Sequence, residues 1–435
     1  MKRGPSLLWL FALALFSKEI FAQAAGQQSP PPASFSRTEP AQDAKLTLEE
    51  AWRLAEQNNP ALRAALAGRM AAEGQVADSR SLLWNNPELS YENNRHRIPQ
   101  PPAADQRYGE WTVGLSQTLE IAGQRRYRSD AALDDLAAMD ASVAELRLQL
   151  RADVEEHFVK VMALQRRAAI ETENLKLVES AAQALRKRVA AGESSKLDGN
   201  LAAIEAERTR NQLSGIDEQL GMARAELAQL LQISPGTELT AVGELGRSRN
   251  YRRDELLERA AQRPQLEVLA KRESAARNRL SLERASVYPD VTLGVRTSRD
   301  GPTEARDRIL GFTVSVPLPL FKRNQAGIGK AMSEFSQAQI ERQTNERDMR
   351  ATALAQWTRH EQIKSRVERL KQSVLPPLDE NLRLSRLAFQ AGEIGVTELL
   401  LVNRQVLDGR RDALEAETEL RLTQIALERA TGWTP

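Results

Sequence analysis

Twice along the chain, a run of strict alternation gives way without a break to a helical period. Over residues 308–325, Leu310, Phe312, Val314, Val316, Leu318 and Leu320 alternate with Gly311, Thr313, Ser315, Pro317 and Pro319, the two-residue period of a strand with one apolar face. After Phe321 the apolar positions Met332, Phe335, Met349, Trp357, Val367, Leu370 and Val374 fall on a helical spacing through residues 326–390. The earlier twin sets Trp111, Val113, Leu115, Leu119 and Ile121 against Glu110, Thr112, Gly114, Ser116, Thr118 and Glu120 over 108–121, and a helix follows from Gln124 to Ala190. Each long strand has a shorter companion: Leu89 and Tyr91 alternate after Pro87, and Val291, Leu293 and Val295 after Pro289. A Pro-rich loop over 96–106 and a Gly301-Pro302 loop are expected to join the strands of each pair.

These features recur at about 200 residues. Thr47-Leu48-Glu49-Glu50 reads as a capping box opening a helix to about Gln57, and Asn59-Pro60 restarts it as N-cap and first helical residue, to about Leu83. Asp254 to Gln262, Arg263-Pro264 and Tyr288-Pro289 repeat the plan, and Ala391-Gly392-Glu393 mirrors Ala191-Gly192-Glu193. The expected organisation is a signal peptide (1–24), a flexible segment (25–45), a first repeat (46–245) and a second (246–435). The first repeat should hold strands at about 87–95 and 108–121 and helices over about 124–232. The second should hold strands at about 289–299 and 308–321 and helices over about 322–431. Lys2, Arg3, the apolar run Leu7 to Phe16 and Ala22-Gln23-Ala24 carry the signal-peptide reading; the run is too short to span a bilayer as a helix.

Composition removes several function classes. Aromatics are 5%, charged residues 28% and the net charge +2, which suits long helices and gives no electrostatic case for nucleic acid. There is no cysteine, so disulfides, thiolate metal sites and a lipidated cysteine are excluded. His96, His157 and His360 lie far apart in sequence, so no metal site and no cofactor is expected. No nucleophile, base and orienting group stand at a motif spacing, so no enzyme is expected.

Four amphipathic strands have no other apolar set to cover them, which suits lipid, and a spanning sheet must close into a barrel. Two chains would give eight strands and a filled lumen; three would give twelve and room for a channel, so a conduit favours a trimer. The expected fold is therefore an α+β membrane protein: a duplicated helix–strand–strand–helix–helix subunit giving four strands to a trimeric barrel above a long helical tunnel. Its lipid-facing set would be Trp111, Val113, Leu115, Leu119, Val291, Leu293, Val295, Phe312, Val314, Val316 and Leu318. Arg125, Arg126, Arg128, Lys322 and Arg323, with Trp84, Tyr127, Tyr288 and Phe321, would mark the bilayer edge on the helical side.

The segments LTLEEAWRLAEQNNPALRAA, NPELSYE, VGLSQTLEIAGQRR and FTVSVPLPLFKRNQAG, with the duplicated Ala-Gly-Glu turns, resemble the TolC-type outer-membrane efflux family, most closely its CzcC-like heavy-metal branch, over roughly residues 46–432. The resemblance implies a homotrimeric twelve-stranded barrel in outer-membrane lipid on a periplasmic tunnel. It also implies docking to a periplasmic adaptor and an inner-membrane resistance-nodulation-division pump, passing cations such as cobalt, zinc, cadmium or nickel. Export of drugs or other small molecules is the alternative, and a pore-less periplasmic coiled-coil or adaptor protein an alternative of another class.

Candidate residues follow. Gly192 and Gly392 are C-cap glycines where long helices reverse. The resemblance makes the tips around them, Arg188, Gly192 and Glu193 in one repeat and Leu387, Gly392 and Glu393 in the other, the adaptor-contact surface. Asp198 and Glu398 follow the tips as first-turn carboxylates, which favour a helix dipole. By resemblance they could form an acidic ring at the periplasmic entrance, although Leu201 and Leu401 stand where the family often has a second acid. Pro376 and Pro377 interrupt the second long helix and are expected to bend it or serve as a hinge.

Overall fold

The structure, a computed structural model, describes residues 44–234, 239–245, 249–301 and 307–433. The expected signal peptide, the lead-in up to residue 43, the Pro235-Gly236 turn and Pro302 lie outside them. The first half runs β1 (Ala44–Leu46), α1 (Leu48–Asn58), α2 (Pro60–Ser79), β2 (Glu88–Gln100), β3 (Ala103–Leu119), α3 (Gln124–Ala190) and α4 (Lys196–Leu231). After β4 (Leu239–Ala241) come α5 (Arg253–Ala261), α6 (Pro264–Ala285), β5 (Val291–Asp300), β6 (Asp307–Ser315), α7 (Gln325–Arg369), a π-helical turn (Leu370–Val374), α8 (Leu375–Ala391) and α9 (Val396–Thr431). From Gln325 to Ala391 the second half covers as many residues as α3, and α4 and α9 have 36 residues each. At ~1.5 Å per residue, the 67 residues of α3 reach roughly 100 Å. Among the described residues no helix is long and apolar enough to cross a membrane.

Local chemistry places the helix ends. The Glu50 N–H donates to Thr47 Oγ1 (3.3 Å) while the Thr47 N–H donates to Glu50 Oε2 (3.0 Å), the reciprocal capping box. The Thr47 backbone bond, helped by its hydroxyl, holds the Glu50 carboxyl below the ordinary range. Asn59 Oδ1 accepts from the Leu62 N–H at 3.1 Å and opens α2. That helix ends at Ser79, short of the expected Leu83: the Arg80 N–H makes the last helical bond, to the Val76 carbonyl (3.2 Å) that also accepts from the Ser79 hydroxyl (2.8 Å), and the Ser81 N–H turns to the Asp78 carbonyl (3.1 Å). Both strand-to-helix joins pass through a left-handed residue, Gly123 (φ 79°) before α3 and Asn324 (φ 52°) before α7. Glycine and asparagine adopt that conformation most readily.

The main sheet is antiparallel in the order β2-β3-β5-β6, so β3 and β5 join the repeats and β2 and β6 are its edges. The expected Pro-rich loop over 96–106 is instead mostly strand. His96 pairs with Tyr108 and Arg97 with Arg107, a bulge at Pro99 absorbs the missing N–H, and Pro101-Pro102 make the turn. The last strand ends at Ser315 rather than 321, since Pro317 and Pro319 have no N–H to donate to a ladder. Val316 and Leu318, expected in the barrel wall, therefore lie in exposed coil after β6. Ala44 and Lys45, expected to be flexible, belong to β1, which pairs in parallel with β4.

The helices bury their own stripes. One cluster gathers Ala51, Ala55, Val154, Phe158, Val161, Leu227, Leu231, Leu239 and Ile425, tying α1, α3, α4, β4 and α9. Each such Leu, Val or Phe stabilises by about 1.5–3 kcal/mol relative to exposure. Near the far helix ends Val178, Ala182, Leu185, Ala202, Ala206 and Val396 form a second cluster with Phe389 packed against it, so the two helical hairpins support one another.

Candidate functional site

The sheet register sorts its side chains onto two unlike faces. Leu89 and Tyr91 stand opposite Leu115 and Val113, Leu115 and Leu119 opposite Val295 and Val291, and Val295 and Leu293 opposite Phe312 and Val314. Trp111 shares that face opposite Arg299. Among the described residues nothing covers it: Phe312 is 77% exposed and Val314 71%. All the expected lipid-facing positions within strands therefore lie on one side. The other face carries Ser90, Thr112, Ser116, Thr118, Thr292 and Thr313, with Thr118 and Thr292 hydroxyls 2.9 Å apart. Two of its glycines are closely overlaid, since a Cβ on Gly114 would fall 2.6 Å from Ser90 Oγ and one on Gly294 2.6 Å from Thr313 Oγ1.

Where the strands meet the helices, Trp84, Tyr288, Leu318, Leu320 and Phe321 are exposed, Phe321 at 96%. Arg128, grouped in the sequence with the bilayer-edge cations, is instead committed internally: it pairs with Glu120 and stacks 3.7 Å over the Trp84 ring. Arg126 remains largely exposed.

At the opposite end of the strands the polar face holds an arrangement that three scattered histidines gave no reason to expect. His96 stacks on Tyr108 with ring centroids 4.9 Å apart, and its Nε2 lies 2.9 Å from Glu110 Oε2. One ligand atom each from His96, Glu110 and Asp300 lies within 4.8 Å of the other two.

The helix reversals are closed alike. The Glu193 N–H bonds the Arg188 carbonyl (2.9 Å) and the Gly192 N–H that of Val189 (3.1 Å); Glu393 and Gly392 repeat this with Ala388 (2.9 Å) and Phe389 (3.2 Å). Both glycines are left-handed, at φ 79° and 80°. Arg188 lies 5.4 Å over the Phe389 ring, linking the tips, while Gly192, Glu193, Leu387, Gly392 and Glu393 are exposed. Beyond the first tip the Asp198 N–H donates to Ser195 Oγ (3.1 Å) and the Ser195 hydroxyl to Asp198 Oδ2 (2.9 Å), so this carboxylate helps cap α4. Glu398, in the first turn of α9, is exposed.

Pro376 and Pro377 occupy the start of α8, directly after the π-helical turn. There the Leu375 N–H reaches back five residues to the Leu370 carbonyl, which carries the helix past two residues that cannot donate.

The sequence reading missed a buried polar network between repeats. Glu155 of α3 pairs with Arg421 of α9, and Arg421 also donates to Gln424 (3.0 Å). Arg249 and Tyr251, on the segment joining the repeats, both donate to Glu428, at 2.6 and 2.5 Å. Burial pushes the Glu155 carboxyl up against the opposing pull of Arg421, with Glu428 adding to the rise. Burial and the Glu428 charge push the Tyr251 phenol far up, and burial pushes His360, edge-on to Tyr251, down. Arginines and glutamates at helical spacing read as solvated pairs, and only the fold shows which of them are enclosed.

A family profile described as outer membrane efflux protein matches residues 51–231 and 256–433. The cobalt-zinc-cadmium resistance protein CzcC of Cupriavidus metallidurans is 28% identical over 366 residues, covering 84% of this chain and 85% of that protein. The pyoverdine export outer membrane protein OpmQ of Pseudomonas putida is 25% identical, covering 88% and 85%. Among solved structures the outer membrane protein VceC of Vibrio cholerae superposes with a TM-score of 0.72 at 20% identity, covering 88% of this chain and 96% of that one.

Proposed function

The chain belongs to the outer membrane efflux protein family, an outer-membrane channel with a large periplasmic helical part, and from that premise we propose that it passes divalent heavy-metal cations such as cobalt, zinc, cadmium or nickel. The observation that carries the channel is the uncovered apolar face across four strands whose reverse is polar. In lipid that face is satisfied, and the polar reverse becomes a wet wall. Four strands with two open edges cannot close alone, so three copies share a twelve-stranded barrel, edge β2 of one meeting edge β6 of the next. The cargo class rests on the similarity to CzcC.

The tips at Gly192 and Gly392 are the surface for a periplasmic adaptor, which joins this duct to an inner-membrane resistance-nodulation-division pump. Their matched closure and exposure support that role. Asp198 and Glu398, just inside them, contribute six carboxylates per trimer to the entrance. Crosslinks from Glu193 and Glu393 should trap the adaptor, and failure at both tips removes this assignment.

Deleting the gene should sensitise cells to cobalt, zinc, cadmium or nickel, and a plasmid copy should restore tolerance. Unchanged metal tolerance together with loss of pyoverdine export would instead favour a cargo like that named for OpmQ, and sensitivity to drugs the small-molecule alternative. The channel itself is checked by an oligomer band in outer-membrane fractions that collapses on heating.

A further inference from the structure

The geometry points to a divalent-cation site of His96, Glu110 and Asp300 on the polar face of the sheet, at the strand ends farthest from the helices. The three residues come from three neighbouring strands. His96 on β2, Glu110 on β3 and Asp300 on β5 all have the parity of Ser90, Thr112 and Ser298, and continuing the β3–β5 register from Trp111–Arg299 sets Glu110 opposite Asp300. Their ligand atoms lie within 4.8 Å of one another. The imidazole is held in place by its stack on Tyr108, with Nε2 turned toward Glu110.

Charge supplies an independent argument. Asp307 of β6 is the direct cross-strand partner of Asp300, so three carboxylates stand side by side at this rim. Like charges opposite one another on a sheet are unfavourable unless a cation intervenes. Among the described residues none of the three pairs with lysine or arginine, and His96 is the only partner of Glu110. Asp300 accepts from the Gly301 N–H through Oδ1 (2.7 Å), which leaves Oδ2 for a ligand.

One imidazole nitrogen and two carboxylates form a borderline donor set that suits zinc, cobalt or nickel better than magnesium, which prefers oxygen and retains its water. A cation would replace the Nε2···Oε2 hydrogen bond with two metal bonds and keep open positions for water. Such a three-ligand, half-exposed site exchanges its ion, and transport requires that binding be weak enough to release. That the polar face lines the lumen rests on the efflux-channel reading; the donor geometry does not.

The test uses full-length protein purified in detergent and titrated with Co2+, read by calorimetry and visible absorption in excess Mg2+. One Co2+ per chain should bind. His96→Ala, and separately the near-isosteric Asp300→Asn, should each weaken it by at least the about tenfold that losing an outer-shell partner costs, in variants that keep the heat-sensitive oligomer band. No saturable Co2+ binding by the folded wild type, or unchanged affinity in both variants, overturns the site. If Co2+ binds as expected yet deleting the gene leaves metal tolerance intact, the site stands and the cargo reading fails. If tolerance needs the gene but purified protein binds no Co2+, the site fails and the cargo reading stands.

Discussion

Replacing Arg421 with methionine isolates the interior electrostatics of the helical part. The Glu155 and Arg421 side chains are 5% and 7% exposed, and the Glu428 carboxylate beside them is 7% exposed. Removing the guanidinium strands a buried carboxylate next to a second one, a loss of about 3–5 kcal/mol. Replacing both partners, as Glu155→Leu with Arg421→Met, removes the stranded charge and should return most of that loss, since well-packed apolar substitutes of a buried pair are often neutral or better. Acidity provides a second signature. The folded-state pKa of Glu155 is raised above 4.5, so the stability linked to its proton is complete below that value and is lost as pH rises through the folded pKa. Arg421 opposes the rise, so its removal raises the pKa further; the deficit of Arg421→Met should be largest near neutrality and shrink as pH falls toward 4.5. Urea unfolding of the detergent-solubilised protein, followed by far-ultraviolet circular dichroism at several pH values, measures both. Equal losses in the single and double variants, or a deficit that grows on acidification, would refute the reasoning.

Three further outcomes are expected. Gly294→Val brings a Cβ to 2.6 Å from Thr313 Oγ1 and should abolish the unheated oligomer band, while Thr313→Ala in the same chain should recover part of it. Gly192→Ala and Gly392→Ala meet nothing within 4 Å, so each should cost only the left-handed backbone strain, about 1–2 kcal/mol by unfolding, and Gly→Asn less. In single-channel recordings the Asp198→Ala, Glu398→Ala pair should lose block by divalent cations; unchanged block would remove the acidic entrance.

Period and punctuation made much of the fold legible. The alternation at Leu115, Val295 and Phe312 predicted strands, and because side-chain parity is fixed along a strand, it also predicted which residues share a face. The proline segments were harder to read. Pro101-Pro102 proved to be a tight turn inside a longer hairpin, and Pro317 and Pro319 ended a strand whose alternation ran on regardless. Charge was the least legible property, because a glutamate at a helical spacing looks the same whether it meets water or Arg421. The rim cluster was hidden for a related reason. Residues as distant as His96 and Asp300 become neighbours only once strands of both repeats are paired.

The π-helical turn before Pro376 also sets the symmetry of the duct. One extra residue in a turn rotates everything after it by about 100° around the helix axis relative to an uninterrupted α-helix. The first repeat has no such insertion in α3, so the two hairpins have matched lengths and closures but arrive at their ends out of phase. Three copies would then present six ends of alternating kind rather than six equivalent ones. A partner that grips this rim meets two distinct half-sites in strict alternation and finds three equivalent rotational settings, related by the threefold axis, instead of six.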